Sequence, residues 1–324
     1  MNRRLLTTLL AAIIAACLTI PASAQLYVPH RSYRPGGQNS SYGNGYSRQQ
    51  QFDAQLNRQD AQMVMQMSQK YAPDHRYEQF LNRISSKFNY AGSKVFRNYD
   101  SKDVRYVVLC GALGFNALAL HRSIILDSLL MDVMKFYAMG LAYYGKVDTG
   151  YTRALAQKTL FLQSCMQKGQ VQPNFKDMDN PFGLPYPGKL DSRQAALAME
   201  YYEEIIASVL AHEGSHAFLE HTKEKMLTQQ KLWSEGRATQ QQIMQYVNVD
   251  MTRAKEFEAD KNGVAMLYYS GYSINGMKAW FRFADIMEYY ANSLYAPNRT
   301  HPTGEERIEA INRTWNSLNA GRIR

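Results

Sequence analysis

After an apolar run from Leu5 to Ile20, the chain from Tyr27 to Gln51 is dominated by Gly, Ser, Asn, Gln, Arg and Tyr. So few aliphatic side chains bury too little apolar surface to offset the entropy of ordering, which predicts a flexible linker over residues 25–52. Polar helices are predicted from Gln55 to about Tyr71 and from about Tyr77 to Phe88. Between Val104 and Leu130 the pattern changes to short apolar runs, VRYVVLCGALG, NALAL and IILDSLL, parted by turn residues. These fit strands of a small sheet, although periodicity alone does not exclude buried helix. Residues 131 to about 168 read as helix interrupted by YYGKVDTGY, and residues 172–191, rich in proline and aromatics, as an ordered loop. From Ser192 onward the pattern is helical to the end. The expected fold class is mainly α with a small β-sheet (α+β).

The first residues add a compartment. Arg3 and Arg4, the apolar run, Pro21 and the small-residue stretch ASAQ have the layout of a secretory signal peptide cleaved after Ala24. The run is shorter than the ~20 apolar residues of a spanning helix. An exported, periplasmic protein is expected, with a lipoprotein anchored at Cys17 as the alternative, since IAAC resembles a lipidation box. In the mature chain Cys110 and Cys165 remain, either as a disulfide or as two free thiols. A formal net charge of +9 favours anionic surfaces. No nucleic-acid motif accompanies it, so it is read as general surface character, compatible with peripheral contact to a membrane or to outer-membrane assembly machinery. The oligomeric state is left open.

The chemistry concentrates in HEGSHAFLEH, residues 212–221, which holds three of the seven histidines. A helix turns by about 100° per residue, so His212 and His216 lie about 40° apart on one face and can reach one ion. Glu213 lies beside that face, where it suits a base acting on a metal-activated water. Ile205 and Val209 continue the stripe on its apolar side. His221 is about 900° of rotation from His212, on the opposite side of a continuous helix, and reads as a surface or supporting histidine rather than a ligand. Gly214, a poor helix former, would open space beside the ion. A second signature lies in KEFEAD, residues 255–260. Glu256 and Asp260 share a helical face that Val264 and Leu267 extend into the core. A carboxylate completing a His–His site leaves a fourth position for water, as in catalytic zinc sites. Asp260 could then accept the free N–H of a ligand histidine, while Glu258 faces away from Glu256.

HEGSHAFLEH, then EFEADKNGVAMLYYSGY, then HPTGEERI, in that order, resemble the zinc metallopeptidase family of the CAAX prenyl endopeptidase, HtpX and periplasmic BepA. NALALHRSIILDSLL, residues 116–130, is similar to that family's strand segment before the active-site helix. The resemblance implies a zincin-like domain over residues 53–324, one zinc per chain on His212, His216 and Glu256, Glu213 as catalytic base and Asp260 as the orienting carboxylate. It gives His301 an either-or role, transition-state donor or inhibitory ligand, and makes Arg307 a structural ion-pair partner. The expected activity is endopeptidase cleavage of peptide or unfolded-protein substrates in envelope quality control. The alternative is a zinc-bound envelope chaperone with little turnover. Two departures stand out. His121-Arg122-Ser123 replaces the family's Pro-Gly-Gly, and an insertion of about 131–200 precedes the active-site helix, as either a lid over the cleft or a surface embellishment.

Overall fold

The computed structural model describes residues 48–100, 102–147, 149–167, 190–235, 246, 251–291 and 301–321. The segments expected as a signal peptide, with Cys17, and as a linker up to residue 47, and most of residues 172–191, lie outside the described residues. The described elements are α1 (Arg48–Lys70), a 3-10 turn (His75–Tyr77), α2 (Glu78–Val95), β1 (Arg105–Leu109), β2 (Ala117–Ala119), β3 (Ser123–Asp127), α3 (Ser128–Tyr144) and α4 (Gly150–Gln167). They continue with α5 (Ser192–Phe218), α6 (His221–Glu235), α7 (Met251–Tyr269), α8 (Asn275–Tyr290) and α9 (Gly304–Asn319). The fold is mainly α with one small sheet, as the pattern indicated. Helix α1 begins at Arg48, so residues 48–52, assigned to the linker from sequence, are helical.

The sheet has the order β1-β3-β2. β1 runs parallel to β3, from Arg105 opposite Ser123 to Leu109 opposite Asp127. β2 pairs antiparallel with the other side of β3, Ala117 opposite Leu126. Every residue of the central strand is buried. The apolar run IILDSLL does not continue as strand: it ends at Asp127, and Ser128–Leu130 open α3. The cause is the Asp127 carboxylate. One oxygen accepts from the Leu129 amide at 2.8 Å and caps the helix, and the other accepts from the Leu113 and Gly114 amides at 2.7 and 3.1 Å. One buried side chain thus ends a strand, starts a helix and fixes the β1–β2 loop. At the other end of β3, Asp60 of α1 accepts from the Arg122 amide and the Ser123 hydroxyl, both at 2.5 Å, so the His121-Arg122-Ser123 turn is held by a helix far away in sequence.

Helix α5 is the axis of the core and packs against α3, α7 and α8. Its start is a capping box in which the Asp191 side chain accepts from the Gln194 amide while the Gln194 side chain accepts from the Asp191 amide. Helix α8 sits so close that a Cβ at Gly276 would lie 2.3 Å from the Glu204 carbonyl carbon and oxygen. The insertion expected over about 131–200 is neither lid nor embellishment where it is described at its start. In α3, Met131, Val133, Met134, Tyr137 and Ala138 are all inaccessible to solvent and form part of the main core. Cys110 and Cys165 are free thiols, not a disulfide. Among the described residues no helix is long and apolar enough to cross a membrane.

Candidate metal centre

The stripe Ile205, Val209, His212 faces inward from α5, and each of its members is buried. Helix α7 packs against the same face of α5. Val264 and Leu267 are inaccessible at its apolar end, and Glu256 and Asp260 are buried nearer its start. The apolar residues of the two stripes belong to one core cluster, and beyond them imidazole meets carboxylate.

One potential ligand atom from each of His212, His216 and Glu256 lies within 4.8 Å of the other two. The two Nε2 atoms are 3.3 Å apart. Glu256 Oε2 lies 3.3 Å from His212 Nε2, and its Oε1 lies 3.4 Å from His216 Nε2. Three potential electron-pair donors converge, a geometry that a cation would satisfy. Behind them Asp260, inaccessible to solvent, lies with Oδ1 2.9 Å from His212 Nδ1. That contact favours the proton on Nδ1 and leaves Nε2 free toward Glu256.

Arg307 of α9 is buried against this group. Its Nε donates to Asp260 Oδ2 at 2.8 Å and its Nη2 to Oδ1 at 2.7 Å. The same Nη2 lies 3.6 Å from Glu256 Oε2 and 3.2 Å from His212 Nδ1, and the guanidinium carbon stands 3.9 Å over the Phe281 ring. Arg307 is thus an ion-pair partner, of Asp260, placed directly against the ligand group. Two buried carboxylates against one guanidinium leave the site a net anion while both imidazoles are neutral. Burial and the Arg307 charge act to lower the pKa of His212, but the hydrogen bonds to Asp260 and Glu256 outweigh them and push it up to about 9. Burial acts to raise Glu256, yet its histidine partners hold it well below the usual carboxylate range. Both shifts express one demand, for positive charge among these ligands.

Glu213 is half-buried beside His212 and makes no hydrogen bond or ion pair among the described residues. His301 is half-exposed, with Nδ1 3.5 Å from Glu256 Oε1, so the HPTGEER turn does reach the ligand group. That turn is held by a capping box between Thr303 and Glu306, and by Arg253, which donates to the His301 carbonyl at 3.0 Å. At Gly214 an added Cβ would make ordinary contact with the Phe218 ring, at 3.8 Å.

His221 departs from the continuous-helix geometry. Helix α5 ends at Phe218, Glu220 takes a left-handed backbone with φ 59°, and α6 begins at His221. The turn brings His221 back against His216, with Nδ1 2.8 Å from Nδ1, and leaves its ring buried. Burial and the neighbouring His216 charge push its pKa down to about 2. Trp280 of α8, edge-on to His212 with ring centroids 5.4 Å apart, is a further site neighbour that no motif marks.

Two imidazoles four residues apart on one helix, a carboxylate from a second helix and a glutamate beside the first imidazole define the zincin-like class of metallopeptidase sites. Residues 194–315, which contain all of these groups, match the family model of Peptidase family M48. Over this segment the chain is similar to the M48 peptidases, which are zinc-dependent. No curated protein and no solved structure matches the chain.

Proposed function

We propose that the chain is an exported zinc-dependent endopeptidase acting on peptide or unfolded-protein segments in envelope quality control. The observation that carries this reading is the convergence of His212, His216 and Glu256, with ligand atoms within 4.8 Å, beside a half-buried Glu213 whose charge is felt by Arg307. Zinc held there would polarise a peptide carbonyl and lower the pKa of a water molecule. Glu213 takes the proton of the attacking water and returns it to the leaving amine nitrogen, so one carboxylate acts as base and then as acid. Asp260 holds His212 in the tautomer that presents Nε2, and Arg307 keeps Asp260 ionised. The substrate backbone lies extended along β2, which is paired with β3 on one side and packs near α5, a mode that reads backbone more than side chains.

The test is cleavage of an unfolded protein by the wild-type chain, by chelator-treated protein and by Glu213→Gln. The reading expects loss in the latter two, with zinc content retained in Glu213→Gln. Equal rates in all three would end it. A second reading, a zinc-bound chaperone with little turnover, draws on the approach of His301 to Glu256. It expects bound zinc, negligible cleavage by the wild type, and cleavage released by His301→Ala.

A further inference from the structure

We propose that His221 is a positioning residue for the metal site: its Nδ1 accepts the Nδ1 proton of His216 and so fixes the ring that presents Nε2 to the metal. The inference rests on the metal-centre reading and names a residue that the His–His–Glu pattern does not contain.

The two Nδ1 atoms are 2.8 Å apart, and only one proton can lie between them. A neutral imidazole carries a single N–H. His216 Nε2 is the atom that faces His212 Nε2 at 3.3 Å and Glu256 Oε1 at 3.4 Å, so it must be bare for a metal to bind there. The His216 proton therefore sits on Nδ1 and points at His221. His221 must then be the acceptor, with its own proton on Nε2. That Nε2 is buried and makes no hydrogen bond as placed, yet it lies 3.3 Å from Glu258 Oε2. The Glu258 side chain is partly exposed, and the same Oε2 accepts from Lys255 Nζ at 2.8 Å. The chain of groups runs Glu258, His221, His216 and the metal, each nitrogen with one assigned role.

The symmetry of the site strengthens this assignment. His212 has an acceptor on its Nδ1, the Asp260 carboxylate at 2.9 Å, and His221 occupies the matching place for His216. The backbone also deviates to put it there. On an uninterrupted helix the residue five positions after His216 would point well away from that ring. A left-handed Glu220 re-aims it, a conformation uncommon for a residue with a side chain. The strained turn is held by the Glu220 carboxylate against Lys102 at 3.4 Å and Lys223 at 3.1 Å, and by Lys102 Nζ donating to the Ala217 carbonyl at 2.6 Å.

The test measures zinc affinity of the full chain by competition with a chromophoric chelator, for the wild type, His221→Leu and His221→Asn, with circular dichroism to establish folding. His221→Leu should bind zinc about 10–100-fold more weakly, the usual effect of losing a group that supports a ligand. His221→Asn, which places an amide oxygen near the former Nδ1, should recover most of that loss. Imidazole ¹⁵N spectra of the zinc-loaded wild type should show the proton of His216 on Nδ1 and that of His221 on Nε2. Folded His221→Leu with wild-type affinity would overturn the inference, as would equal losses in Leu and Asn, which would mark plain packing. Should His221→Leu fail to fold, the Asn variant and the spectra decide, and a bare His216 Nδ1 overturns the proposal. A wild-type chain that binds no zinc would instead remove the metal-centre reading itself.

Discussion

Replacing Arg307 with Met keeps most of the volume of the side chain and removes its charge from a place where little else can supply it. Asp260 is inaccessible to solvent and Glu256 nearly so. The guanidinium makes two charge-assisted bonds to the first, at 2.8 and 2.7 Å, and lies 3.6 Å from the second. Breaking a buried ion pair from one side costs about 3–5 kcal/mol, because the remaining charge is stranded in low dielectric. The lower end applies here, since His212, its pKa pushed up to about 9, already carries a positive charge beside both carboxylates when Arg307 is removed. With a urea dependence of roughly 3 kcal/mol per M for a chain of this size, the denaturation midpoint of the metal-free protein should fall by about 1 M. Asp260→Asn in the same background removes the stranded charge, so the double variant should be more stable than the sum of the single losses by about 1–3 kcal/mol. Zinc should shrink the effect of Arg307→Met by restoring a cation beside both carboxylates. A midpoint shift below a few tenths of a molar, or strict additivity in the double variant, would refute this description of the site.

Other consequences can be measured on the same material. In the metal-free protein Asp260 and Glu256 ionise below their ordinary values of 3.8 and 4.5, so their contribution is complete above those values and is lost on acidification. His212 runs the other way, its contribution complete below 6.5 and lost as pH rises through about 9. Melting temperature against pH should therefore peak between these limits, and a flat profile from pH 6.5 to 9 would contradict the assignment. Gly276→Ala forces a methyl group onto the Glu204 carbonyl at 2.3 Å, and thermal melting should show a loss of about 1–3 kcal/mol as α8 lifts from α5. Thr303→Ala removes the side chain that accepts from the Glu306 amide at 3.1 Å, and urea unfolding should register about 1 kcal/mol.

The cluster of His212, His216, Glu256 and Asp260 was largely legible in the sequence because each half of it is local. Helical spacing alone puts His212 with His216 and Glu256 with Asp260, and the apolar residues on the same faces state which sides turn inward. What escaped depends on where the chain turns. Nothing in Leu219-Glu220 resembles a helix stop: there is no glycine, proline or asparagine, so a continuous helix carried His221 to the wrong side. In the structure two lysines, one of them from before β1, hold Glu220 in the left-handed turn. The end of β3 was hidden for a different reason. IILDSLL is apolar but for Asp127 and Ser128, and only the bond from the Leu129 amide reveals that Asp127 is a cap, its other oxygen being held by the amides of Leu113 and Gly114. The start of the predicted insertion read as optional because its length was unusual, although the burial of α3 makes it part of the core. Trp280 and the deep seat of Arg307 follow from α8 and α9 packing around α5 and α7, which no local pattern encodes.

The account turns on one cation shared by two helices, and X-ray absorption at the zinc edge of the purified full chain examines that most directly. It should show one zinc per chain with two imidazole nitrogens and a carboxylate oxygen among its neighbours, one imidazole vanishing in His216→Ala and the carboxylate in Glu256→Ala. A sulfur neighbour, or a spectrum unchanged by Glu256→Ala, would place the metal elsewhere and contradict the account.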